Sequence, residues 1–147
     1  MTTTLRQYQL HLFVPGTPAP QGSKRHLGRG IMIESSKNVG PWRERIALAA
    51  HNYATIINKD IPLPFHDQPL EVVLKFVMPR PAATPKTRRT PPAVKRPDLD
   101  KLCRCVLDAL TGIIYADDAA VTHIDVHKRL AEPNETPGVH ISVENLP

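Results

Sequence analysis

Four aspartates fall at two points in the second half of the chain. Asp98 and Asp100 lie in the run Arg96-Pro97-Asp98-Leu99-Asp100-Lys101-Leu102-Cys103-Arg104, and Asp117-Asp118 follow a short way on. Carboxylates are the hard oxygen donors that Mg²⁺ or Mn²⁺ takes, a few at a time, alongside waters and phosphate oxygens. Such an ion lowers the pKa of an attacking water and stabilises charge on a scissile phosphate. Arg104 would suit the phosphate itself, through its planar fork of donors. A helix turns about 100° per residue, so Asp98 and Asp100 would diverge if both were inside one. They converge only if Asp98 sits just before the helix in an extended conformation, which Pro97 and a cap role both favour. Each acid also has a structural reading. Asp98 is a good N-cap, Asp100 complements the helix dipole and can pair with Arg104 at i+4, and Asp117-Asp118 suit a turn.

The neighbourhood of these acids favours the chemical reading. Residues 1–97 hold 15 Lys and Arg against 5 Asp and Glu, whereas residues 98–147 hold 4 against 9. The sign of the charge changes at Asp98. The stretch from Pro79 to Pro97 contributes Arg80, Lys86, Arg88, Arg89, Lys95 and Arg96 with no acid at all. A carboxylate cluster alone repels DNA, and an adjacent cationic arm supplies the missing attraction to phosphates. Lys24, Arg25 and Arg29 could extend that footprint, and Lys101 is a further cation beside the acids.

The elements that must position these residues are legible as patterns. Tyr8, Leu10, Leu12 and Val14 alternate as in a half-buried strand, which stops at Pro15-Gly16 and gives way to a Pro- and Gly-rich basic loop. Ile31 to Ile33 suits a short second strand. Ser35, Ser36 and Asn38 offer caps for a first helix over residues 37–57, with Trp42, Ile46, Ala49, Ala50 and Tyr53 at helical spacing and Pro41 in its first turn. Leu70, Val72, Leu74, Phe76 and Met78 mark a strong strand. Six prolines between Pro79 and Pro97 exclude a core element there and imply an exposed loop. A second helix opens at Asp98, carries Leu99, Leu102, Val106 and Leu110 on one face, and closes at Thr111-Gly112. A strand then places Ala120, Thr122, Ile124 and Val126 on one side and His123, Asp125, His127 and Arg129 on the other. After a turn over Glu132 to Gly138, Val139, Ile141 and Val143 form the last strand. The sum is an α+β fold over residues 1–147: one domain, with two helices packed on a mixed sheet of about four to five strands.

At the acids the sequence resembles a family. The run Arg96 to Leu102, then Leu107-Asp108-Ala109-Leu110, then Asp117-Asp118-Ala119 and Val121 is similar to the signature of RusA-type Holliday junction resolvases. These are small endodeoxyribonucleases common in prophages. The resemblance is closest over residues 95–129, and the first strand, its loop and the first helix agree in order and spacing. It implies a homodimer that binds a four-way junction or other branched DNA. It also implies paired nicks made with Mg²⁺ or Mn²⁺, in recombination and repair, and no nucleotide cofactor. By motif position Asp98, Asp100 and Asp118 correspond to the family's catalytic, metal-binding aspartates, and Asp117 is its neighbouring acid. The family's catalytic lysine falls on Arg104. Arginine keeps the charge but holds its proton more tightly, which suits phosphate binding better than proton donation.

Several features are bounded by simpler physics. His123, Asp125 and His127 at i, i+2 and i+4 have a geometry that could bind a transition metal, but a polar or half-buried sheet face is the favoured explanation. Cys103 and Cys105 suit packing on the second helix, since two cysteines make neither a disulfide framework nor a zinc site. Asp108 suits a structural polar role, and Trp42 and Tyr53 core or dimer packing. No apolar run approaches the roughly 20 residues of a membrane span, and the first residues lack a secretory signal, so a soluble cytoplasmic protein is expected. A non-catalytic DNA-binding protein using the basic arm alone is the competing reading.

Overall fold

The computed structural model describes residues 6–22, 24–26, 32–34 and 37–147, the second and third of these by their backbone alone. Alternation sets the strands. In β1 (Gln9–Pro15) Leu10, Leu12 and Val14 are buried while Gln9 and His11 are exposed. In β4 (Leu70–Met78) Leu70, Val72, Leu74 and Phe76 are fully buried, and in β6 (Gly138–Asn145) so are Val139, Ile141 and Val143. With β5 (Val121–Leu130) these strands form one sheet in the order β1-β6-β4-β5. β1 and β4 run antiparallel to β6, and β5 runs parallel to β4. The mixed sheet therefore has four strands, the lower end of the expected range.

The basic loop after β1 contains a strand that composition did not suggest: β2 (Lys24–His26) pairs antiparallel with β3 (Met32–Glu34). Only the second of these coincides with the expected strand near Ile31 to Ile33, of which Ile31 lies outside the described residues. Short hairpin strands carry too few alternating positions for a periodic signal to rise above turn composition.

α1 (Val39–Asn52) continues into one wider turn at Tyr53–Ile57, and together they fill the span predicted at 37–57. Trp42, Ile46, Ala50 and Tyr53 are buried along one stripe. Asn38 occupies the N-cap position without a side-chain cap bond; Ser35 and Ser36 lie outside the described residues. α2 (Leu99–Leu110) buries Leu102, Cys105, Val106, Ala109 and Leu110. Its chain leaves at Thr111 in an extended conformation, and Gly112 at φ 85° makes the left-handed reversal that a side chain would resist.

Both helices contribute to the same buried cluster as the inward residues of β1, β4 and β6. The opposite face of the sheet carries Glu71, Lys75, His123, Asp125 and His127 and is largely polar. Parallel strands need a crossover. That between β4 and β5 consists of the proline-rich stretch 79–97, then α2, then a short return through Asp117 and Asp118. The acids are thus placed by one connection. Among the described residues no helix is long and apolar enough to cross a membrane.

Candidate active site

Asp98 is the N-cap residue of α2, with φ −70° and ψ 142°, the extended conformation that the proline before it favours. Its carboxylate makes no cap bond to the helix amides. It lies instead 3.7 Å from Lys101 Nζ, one turn on, and both side chains are largely exposed. Capping therefore does not account for Asp98. Asp100 is in the first turn of α2 and exposed, favourably placed against the positive end of the helix dipole. Arg104 is exposed one turn further, and no ion pair joins it to Asp100 among the described residues. A carboxylate and a guanidinium thus stand on one helical face, unpaired and open to solvent.

Asp117 and Asp118 lie beyond the other end of α2, in the return to β5. Asp117 Oδ1 accepts from Ala119 N at 2.9 Å and so caps the 3₁₀ turn Asp118–Ala120. Asp118 is left exposed with no such duty. Behind this return lies Tyr115, fully buried, whose hydroxyl donates to Leu107 O at 2.6 Å. Burial drives the Tyr115 pKa well above its ordinary value, and the charge of Asp118 adds to the rise. Burial likewise raises Cys103, followed by the charge of Asp100.

They do not close into a cage. Among the described residues no group of three or more His, Cys, Asp or Glu side chains is spaced to hold a metal ion. Asp98 and Asp100 start a helix of 12 residues, about 18 Å long, and Asp118 follows its far end. The same finding covers His123, Asp125 and His127. His127 Nε2 is 2.8 Å from Asp125 Oδ1, while His123 turns to Glu71 on the neighbouring strand at 3.7 Å.

The basic stretch is an ordered loop. Arg80 is spent inside it: one guanidinium nitrogen donates to Thr90 Oγ1 at 2.5 Å and Ala131 O at 3.4 Å, the other to Pro85 O at 2.9 Å and Arg88 O at 3.0 Å. Thr90 then donates to Glu132. Of the six arm cations Arg80 shapes the loop, while Lys86, Arg88, Arg89, Lys95 and Arg96 are exposed. Lys24 and Arg25 lie on β2, of whose side chains the structure gives no account, and Arg29 lies outside the described residues.

Two residues that sequence reasoning missed hold this arrangement. Lys128 Nζ donates to Lys95 O at 2.9 Å and Pro97 O at 2.8 Å, tying the end of the arm to β5 immediately before Asp98. The signal was present: Lys128 falls in the half-buried series of Val126 and Leu130, where a lysine is out of place unless it has a task. Gln21 binds α2 twice, through its amide N to Lys101 O at 3.0 Å and through Nε2 to Asp108 Oδ2 at 3.1 Å. That gives Asp108 the structural role expected of it.

Exposed acids at the helix start thus follow directly on a pinned cationic loop, and exposed cations of that kind attract phosphate chains. No curated protein matches the chain. The family model described as endodeoxyribonuclease RusA matches residues 15–144, which takes in β2 through β6 short of its last residue and leaves β1 outside but for Pro15. The chain therefore belongs to the RusA endodeoxyribonuclease family.

Proposed function

We propose that this chain is a structure-selective endodeoxyribonuclease that resolves Holliday junctions or other branched DNA by paired nicks, in recombination and repair. The observation that carries the reading is the junction of two opposite fields at Asp98. Five exposed cations with no acid among them lead through Pro97 into two exposed carboxylates. Cations hold the phosphate chain, and Arg104 binds the phosphate next to Asp100. Mg²⁺, with Mn²⁺ as a substitute, is the cofactor this reading takes, since such ions complete their shell with waters and phosphate oxygens. A two-fold substrate that needs two cuts favours a homodimer. The protein would work in the cytoplasm, where Cys103 and Cys105 stay reduced.

The test is a labelled four-way junction and a linear duplex of the same sequence, each incubated with and without Mg²⁺. Paired nicks confined to the junction and to Mg²⁺ are the expected outcome. No Mg²⁺-dependent cleavage of any branched DNA would overturn the proposal. The separation of the aspartates in one chain favours a second reading, DNA binding without catalysis. It requires binding and biological activity indifferent to chelator and to aspartate substitution.

Electrostatics gives a separate check on the arm. Lys86 and Arg89 are exposed, and each phosphate contact contributes about 0.9 to the slope of log K against log salt. Lys86→Ala with Arg89→Ala should flatten that slope by about 1 to 2, with equal effect on every DNA sequence. Fluorescence anisotropy titrations at several salt concentrations measure it. Arg80→Ala should behave differently, because its guanidinium is turned onto the loop.

A further inference from the structure

Beneath the proline-rich loop the structure has a cavity of about 800 Å³. It opens at the carboxyl ends of the two parallel strands: Met78 and Leu130, which pair as the last residues of β4 and β5, both line it. A crevice outside the carboxyl ends of parallel strands is where such sheets receive ligands. Pro81, Pro92 and Val94 supply further apolar lining, and Val94 is 81% exposed, an aliphatic side chain with nothing covering it.

The rest of the lining has one sign. Arg88, Lys95, Arg96 and Lys128 border the cavity, and among the described residues no acid does. Lys128 is engaged with loop carbonyls, whereas Arg88, Lys95 and Arg96 make no ion pair among the described residues. Thr17, Asn38 and Thr84 add neutral hydrogen-bonding groups. The cavity is also held open. Arg80 fastens the middle of the loop and Lys128 its end, so a ligand would not have to order the loop on entry.

Apolar surface, a few neutral donors and acceptors and an acid-free cationic border match a ligand with a flat organic face and an attached anion. We propose that this cavity takes one unstacked nucleotide of the DNA substrate, its base against the proline and aliphatic lining and its phosphate on Arg88, Lys95 and Arg96. Arginine planes and apolar side chains receive splayed bases in this way. The volume falls in the range of small-molecule sites and exceeds what one nucleotide needs, leaving room for its sugar and flanking phosphate. The proposal rests on the reading of the protein as a nuclease of branched DNA. Pro97 lines the cavity and precedes Asp98, so the occupant would lie beside the strand to be cut.

The experiment places 2-aminopurine at successive positions around the branch point of a four-way junction and records its fluorescence on binding in excess chelator. One position should brighten several-fold, because an unstacked 2-aminopurine is unquenched and no aromatic side chain lines the cavity. Ala93→Leu, which crowds the apolar lining, and Val94→Asp, which puts an acid in it, should each reduce the brightening severalfold at equal thermal stability. No brightening at any position of a bound junction overturns the proposal, as does brightening retained in both variants. A single-stranded tetranucleotide titrated by ¹⁵N NMR is the second arm. Shifts at Thr84, Ala93 and Val94 support the pocket even if no branched DNA is cut; no shifts there at millimolar oligonucleotide overturn it even if junctions are cut.

Discussion

Asp100→Asn is expected to reduce DNA cleavage by about 10² to 10³-fold or more, the scale of losing one group that stabilises transition-state charge. Junction binding should persist. Asparagine keeps the size and one acceptor oxygen of the aspartate but loses its charge. Asp100 is exposed in the first turn of α2, so the fold loses only its favourable position at the helix dipole, about 0.3 to 1 kcal/mol. Removing a negative charge from a DNA-facing site should leave affinity unchanged or slightly tighter. The measurement pairs single-turnover cleavage with gel-shift affinity on the same junction. Loss of cleavage and binding together would mean that Asp100 serves the fold or the complex; full cleavage would remove it from the chemistry. Asp117→Ala is the internal comparison, since it removes the oxygen that caps the turn before β5 and should cost stability before activity.

Tyr115→Ala carries the largest expected loss of stability. Tyr115 is completely buried and packs in the core cluster with the residues of α2 and β4. Truncating a large aromatic in such a place costs about 3 to 5 kcal/mol through lost transfer energy and the cavity left behind. Removing the hydroxyl also leaves Leu107 O without the bond it accepts at 2.6 Å. Tyr115→Phe isolates that part, about 0.5 to 1.5 kcal/mol. Denaturant unfolding of the two variants should therefore rank them Phe then Ala, with the midpoint falling and the slope unchanged. A wild-type midpoint for Tyr115→Ala would contradict the packing described here.

The sheet and helices were legible because they are long enough to show a period. Nine residues of β4 alternate with a fully buried inner face, and α2 repeats apolar side chains over three turns. The extended conformation of Asp98 could be reasoned from Pro97 for the same local cause. What the sequence did not carry is long-range. Alternation says nothing of which strands pair, so the parallel contact of β4 with β5 came only with the structure. The crossover that this contact requires puts a whole helix between Asp100 and Asp118. Nor could composition show that Arg80 points into its own loop. A cation count treats six charges as equal, whereas one is consumed in hydrogen bonds and five face solvent.

The crossover from β4 to β5 has a consequence for how such a protein can vary. A parallel pair must be joined by a long connection, and here the cationic loop occupies the obligatory detour rather than an addition to it. Its length is cheap to change, since loop-closure cost grows only with the logarithm of chain length. Insertions between Thr90 and Lys95 would alter reach and grip while Arg80 still held Pro85, Arg88 and Thr90, and Lys128 still held Lys95. Under the proposed function, substrate preference and cutting chemistry could therefore diverge along one uninterrupted stretch of chain, the first in the loop and the second in the helix it feeds.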